Sequence, residues 1–233
     1  MVKFFTEVEN QIEATQSIAD LFKYWKEAQV ADTNWKSNVP MIGGEMPVEG
    51  FKKSFCIDGV SSVEGHYSGV ERSKVLFVLK ESNIGREEFQ HEGKTHSFWF
   101  DEEPLHSTRI KYMKNFQMAL DKFFPEWDST MSIGYMNLNK RGGASYTESK
   151  RLKAYIRDYH KFILKEIEII APKMIFLCGC NDVFISGIRE AFLQDEPFRD
   201  EGDVLKLIVS ENVSPQIVTI YHPSYPRFKD CLN

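Results

Sequence analysis

Residues 74–79, KVLFVL, form a continuous apolar run rich in β-branched and aromatic side chains, with a polar stretch starting at Lys80 and Glu81. A strand that is apolar at every position has both faces covered, which is the condition of a strand inside a parallel sheet. KMIFLC at 173–178 and QIVTIY at 216–221 repeat the pattern, and SIGYMNL at 132–138 is a weaker version. Between them lie helical periods. STRIKYMKNFQMALDKFF at 107–124 carries Ile110, Met113, Phe116, Leu120 and Phe123, and Pro125 closes it. SKRLKAYIRDYHKFILKEIEIIA at 149–171 ends before Pro172, and Asn181 is placed to cap a helix through Phe192. Strands alternating with helices predict an α/β chain: a three-layer α/β/α sandwich around a short four-stranded parallel sheet.

Upstream, residues 10–29 carry Ala14, Ile18, Leu21, Phe22 and Trp25 at helical spacing, and a Gly- and Pro-bearing connector follows. This divides the chain into an N-terminal helical extension packed on the core (1–50) and a main domain (51–233). At 233 residues, with 42% hydrophobic and 27% charged side chains, the composition is that of a globular protein. No apolar run approaches a membrane span, and the N-terminus turns acidic too early for a secretory signal, so a cytoplasmic monomer is expected. Cys56, Cys178, Cys180 and Cys231 contain no C-x-x-C pair, so neither a zinc site nor a metal cluster is expected, and no cofactor.

A net charge of −5 excludes a protein that coats nucleic acid by bulk charge. The run from Lys140 to Arg157 is locally basic, however, with Glu148 its single acid. It reads either as a solvated helix face or as a phosphate-binding loop, with Lys140 and Arg141 beside Gly142 and Gly143.

Ligands of parallel α/β sheets sit outside the carboxyl ends of the strands. There the sequence places Lys80, Glu81, Ser82 and Asn83; then Asn137, Asn139, Lys140 and Arg141; then Gly179 and Asn181; and last His222, Pro223 and Ser224. One carboxylate and one histidine are too few for catalytic zinc, and Ser82 lacks the G-x-S-x-G elbow of an acyl-transfer enzyme. Amides, an imidazole, an acid and nearby aromatics suit a planar heterocycle.

In this order the motifs resemble those of the uracil-DNA glycosylase superfamily, over roughly residues 70–230. VLFVLKESNIG is similar to its first motif, YMNLNKRGG to the strand ending in the base-reading asparagine, APKMIFLCG to its third strand, and TIYHPSYPRF to its last motif. The first loop departs from the family forms G-E-A-P-G, G-x-N-P-G and G-Q-D-P-Y-H. It has no proline, Lys80 stands at their first glycine, and Ser82 replaces an Asp or Asn; the cluster cysteines of the G-E-A-P-G branch are also missing.

The resemblance implies a DNA glycosylase that flips a nucleotide out of single- or double-stranded DNA and cuts its N-glycosidic bond, leaving an abasic site. His222 would steady the leaving base, Glu81 would handle water with Ser82 beside it, and Asn137 would read the base edge with Asn83. Phe98 or Trp99 would form an aromatic floor. Lys80, Lys140, Arg141, Ser224, Tyr225 and Arg227 would contact the DNA backbone or groove. The open first loop favours a bulky modified cytosine, such as α-glucosylated hydroxymethylcytosine in phage DNA, hence a defence role; repair of uracil or another deaminated base is the alternative. A non-catalytic base-binding module and a small-molecule hydrolase are the rivals from other classes.

Overall fold

The computed structural model describes residues 10–38, 50–61, 71–83, 95–96, 107–128, 130–143, 147–192 and 196–232. Its centre is a mixed sheet of seven strands: β1 (Gly59–Ser61), β2 (Val75–Asn83), β3 (Ile133–Gly143), β4 (Met174–Cys178), β5 (Phe198–Glu201), β6 (Val204–Leu207) and β7 (Gln216–Ile220). The spatial order is β1-β3-β2-β4-β7-β6-β5. The four inner strands run parallel, with Phe77 opposite both Tyr135 and Phe176, and Ile175 opposite Ile217. Antiparallel strands extend both edges, β1 along β3 and the β5–β6 hairpin along β7. The sheet is therefore wider than the four strands expected. Its additions are short, β5 is largely exposed and β6 only half-buried, so no long apolar run announces them.

The apolar runs divide their side chains by the two-residue period of a strand. Leu76, Val78, Met136, Leu138, Ile175 and Leu177 join one buried cluster with α1 (Ile18–Ala31), α3 (Ser149–Ile170) and α4 (Asn181–Ala191). Phe77, Leu79, Tyr135, Phe176, Cys178 and Ile220 join a second with α2 (Ser107–Phe123). Helices thus cover both faces, which is why the strands carry no polar alternation.

The predicted N-terminal helix is broken at Thr15–Ser17. Ser17 caps α1 by accepting the Asp20 N–H at 3.1 Å. Trp25 is fully buried and stacks on Phe162 of α3 at 5.3 Å, so α1 shares the core of the sheet. At α4, Asn181 is the first helical residue and bonds Asp182, so it is not the cap that the sequence implied.

From β2 the chain crosses to β3 on one side through α2, then returns past β2 to β4 through α3. The carboxyl ends of β2 and β4 therefore flank the point where the strand order reverses, the place where such sheets bind ligands.

Candidate functional site

Three expected residues stand two positions beyond side chains buried on the α2 face: Glu81 after Leu79, Asn137 after Tyr135, and His222 after Ile220. In register, Leu79 opposes Asn137 and Glu81 opposes Asn139. The strand period carries Glu81 and Asn137 toward the same side of the sheet at its carboxyl edge, and His222, two residues past the end of β7, meets Tyr112 of α2 on that side. Lys80 links two of them electrically, since its charge acts on Glu81 and on His222, as it does on Cys180 past the end of β4.

Glu81 ends in a closed position. Its Oε1 is shut off from solvent with no hydrogen-bond partner among the described residues, although the residue as a whole is half-buried. Burial pushes its carboxyl up to about 8, against the opposing pull of a Thr147 hydrogen bond and the Lys80 charge. The space for this side chain comes from Gly143. A Cβ there would lie 2.7 Å from the Glu81 Cδ and 2.8 Å from its Oε1.

His222 is fixed from two directions. The Ser224 N–H donates to its Nδ1 at 3.3 Å, and the Ser224 Oγ lies 2.7 Å from the same nitrogen. A backbone N–H can only donate, so Nδ1 is an acceptor and the ring proton sits on Nε2. Burial, then the charge of Lys80, lowers the imidazole to about 4, so the ring is neutral at physiological pH. Gly179 is left-handed (φ 67°), and a Cβ there would sit 3.2 Å from the His222 backbone nitrogen. Only glycine lets β4 end so close to the histidine turn.

Helix α2 supplies the rest of the support, and the sequence reading missed it. The Asn115 amide donates to the Pro223 carbonyl at 2.6 Å, and Lys111 reaches the Ser224 carbonyl at 3.3 Å. Tyr112 meets the His222 ring edge-on at 5.5 Å and bonds Ser224. Lys111, Tyr112 and Asn115 lie between the apolar positions of α2, where polar residues read as a solvated face, so the sequence carried no signal for them.

Asn137 is buried and its backbone N–H donates to Asp58, while among the described residues its side-chain amide makes no hydrogen bond. Ser82 and Asn83 close β2, where the register slips so that Asn83 lies opposite Gly143. Phe98 and Trp99 lie outside the described residues. Ser224, Tyr225 and Arg227 are exposed beside the histidine, with Tyr225 4.9 Å from Tyr221, and Lys80 is half-buried.

Lys140 and Arg141 are corrections. Both are fully buried, because β3 continues to Gly143 and carries them under α1 and α3. Lys140 pairs with Asp58 and Glu166 and lies 5.0 Å from the rings of Phe22 and Trp25. Arg141 donates to Gln29, Tyr159 and Asp32. Neither side chain reaches the surface, and Gly142 and Gly143 are strand residues rather than a phosphate-binding loop. Further along the basic run, Lys153 pairs with Glu190 and Arg157 with Asp158, as on an ordinary helix surface.

Among the described residues no group of three or more His, Cys, Asp or Glu could hold a metal ion, and no helix is long and apolar enough to cross a membrane. No protein-family model matches the chain, and no curated protein matches it either.

Proposed function

We propose that the chain is a DNA glycosylase of the uracil-DNA glycosylase kind. One observation carries the reading: a neutral histidine with its proton on Nε2 and a buried carboxylate stand at the carboxyl ends of β7 and β2, on either side of β4 beside the reversal point of the sheet, under the field of one lysine.

An everted nucleotide fits such a cleft with its base between His222 and Asn137 and its sugar toward Glu81. The bond from C1′ to the base nitrogen breaks and its electron pair leaves with the base. The sugar becomes cationic; water adds to C1′ and gives a proton to ionised Glu81, which passes it on as the base is released. The Nε2–H of His222 donates to the base oxygen that gains negative charge. A neutral donor suits this task, because it stabilises the anion without surrendering a full proton. Asn137 reads the base edge, with Ser82 and Asn83 at the carboxyl end of the neighbouring β2. Tyr225 and Arg227 face the duplex, and Lys80 supplies cationic charge near a phosphate. A bulky 5-substituted cytosine, including the glucosylated form in phage DNA, is the favoured substrate.

The deciding experiment incubates the protein with uracil-containing oligonucleotide and, separately, with glucosylated phage DNA, and scores abasic sites. Product from the phage DNA supports the favoured substrate, and product from uracil alone moves the assignment to repair. Binding of DNA without abasic product in either arm replaces the enzyme with a binding module.

A further inference from the structure

β1 stops pairing with β3 at Gly59, opposite Tyr135, so the next outward-facing N–H of β3, at Asn137, has no strand carbonyl to meet. The side chain of Asp58, the residue just before β1, takes that place. Its Oδ2 accepts the Asn137 N–H and its Oδ1 accepts the Lys140 ammonium. Lys140 in turn lies 2.8 Å from Glu166 of α3 as an ion pair, although neither Glu166 oxygen meets hydrogen-bond geometry. Asp58, Lys140 and Glu166 are essentially inaccessible to solvent. The next positions of β3 are also held by side chains: the Tyr155 hydroxyl accepts the Lys140 N–H, and the Ser54 hydroxyl donates to the Arg141 carbonyl.

We propose that Asp58 is a positioning residue for Asn137: its carboxylate, braced by Lys140, fixes the strand segment that presents the base-reading amide. This rests on the function proposed above. A carboxylate is suited to the position because it accepts two donors at right places on one rigid group, the strand N–H in front and the ammonium behind. Glu166 approaches from α3, and the Phe22 and Trp25 rings cover the ammonium from α1, so two helices converge on the cation that braces Asp58. Asp58 touches no substrate in this scheme; it acts through Asn137.

The test compares two versions of the full chain, D58N/K140M and D58L/K140M, each also carrying Glu166→Gln so that no carboxylate is left buried without its cation. Both remove the buried ion pair at similar volume, and only the first keeps an oxygen for the Asn137 N–H. Two readouts are taken: the amide proton shift of Asn137 in the ¹H–¹⁵N spectrum, and the ratio of kcat/KM for abasic-site formation between the better and the poorer of the two DNA substrates. D58N/K140M is expected to keep a downfield Asn137 amide and the wild-type ratio to within about twofold. D58L/K140M is expected to shift that amide upfield and to compress the ratio at least tenfold. Equal ratios in both variants overturn the positioning role, even if the leucine version is less stable. Should the leucine version fail to fold, D58A/K140M replaces it, since it too lacks an acceptor for the Asn137 N–H, and a ratio there equal to that of D58N/K140M is equally fatal. Absence of release from any DNA by the wild type overturns the parent function and the selectivity role with it, which separates the two failures.

Discussion

If Glu81 takes a proton from water, base release should follow its ionisation. Burial holds that carboxyl at about 8 and the imidazole of His222 at about 4. With a midpoint near 8, about 9% of Glu81 is ionised at pH 7 and about 91% at pH 9, so the single-turnover rate should climb roughly tenfold between them. Below pH 7 it should fall by close to tenfold per unit, and no second limb should appear above pH 5, because His222 is already neutral. The assay is abasic-site formation under saturating enzyme, so that weaker DNA binding at high pH does not enter. Glu81→Gln should lower the rate at pH 9 by on the order of a hundredfold and flatten the profile. A wild-type rate that is level or descending from pH 7 to 9 would refute the base role. A descending limb would instead mean that protonated Glu81 is the active form.

Other expectations use the same geometry. Gly143→Ala puts a methyl group into the Glu81 carboxyl, so it should cost roughly 1–3 kcal/mol in a denaturant titration and remove most base release without unfolding the chain. His222→Ala should slow release by on the order of 10²–10³-fold with little change in DNA affinity, since its Nε2–H acts on charge that develops late; an equal loss of affinity would count against that role. Arg227 is exposed, so Arg227→Ala should lower the slope of log K against log salt by about one, measured by fluorescence anisotropy. Burial, countered by Lys140, raises Glu166 well above the carboxylate range. A raised folded value means the native state binds more protons than the unfolded chain. The stabilisation is therefore complete below the unfolded value near 4.5 and is lost as pH rises. Glu166→Gln should leave stability at pH 5 nearly unchanged and reduce its decline toward pH 8, read from thermal melts.

The inner strands were legible because both of their faces are buried, and a run such as VLFVL has few other solutions. The edge strands were not: GVS and FRDE carry no periodic signal, and their pairing follows from tertiary contacts. At the site, Glu81, Asn137 and His222 were visible as polar residues ending apolar strands. Their supports were not, since Asn115 bonds a carbonyl 108 positions away and Asp58 accepts from an N–H 79 positions away. The basic pair misled for a related reason. Lys140 and Arg141 follow an apolar strand, and local sequence cannot distinguish a strand that ends at Leu138 from one that continues to Gly143 with its cations paired.

That misreading bears on the site itself. Burying an ammonium with two carboxylates, and a guanidinium beside it, gains little net stability over apolar side chains of equal volume, because desolvation offsets most of the attraction. An apolar replacement would also have covered α1 and α3. What it could not do is meet the N–H groups of β3 that β1 leaves behind at Asn137 and beyond. Asp58 supplies the acceptor at Asn137 and Tyr155 the one at Lys140, and Arg141 ties the same segment to Gln29 and Asp32 at the end of α1. Geometry is thus a better account of these charges than stability. The two accounts separate experimentally: if stability were the purpose, D58L/K140M carrying Glu166→Gln should melt below wild type, whereas if placement is the purpose it should melt at or above wild type while losing discrimination between bases.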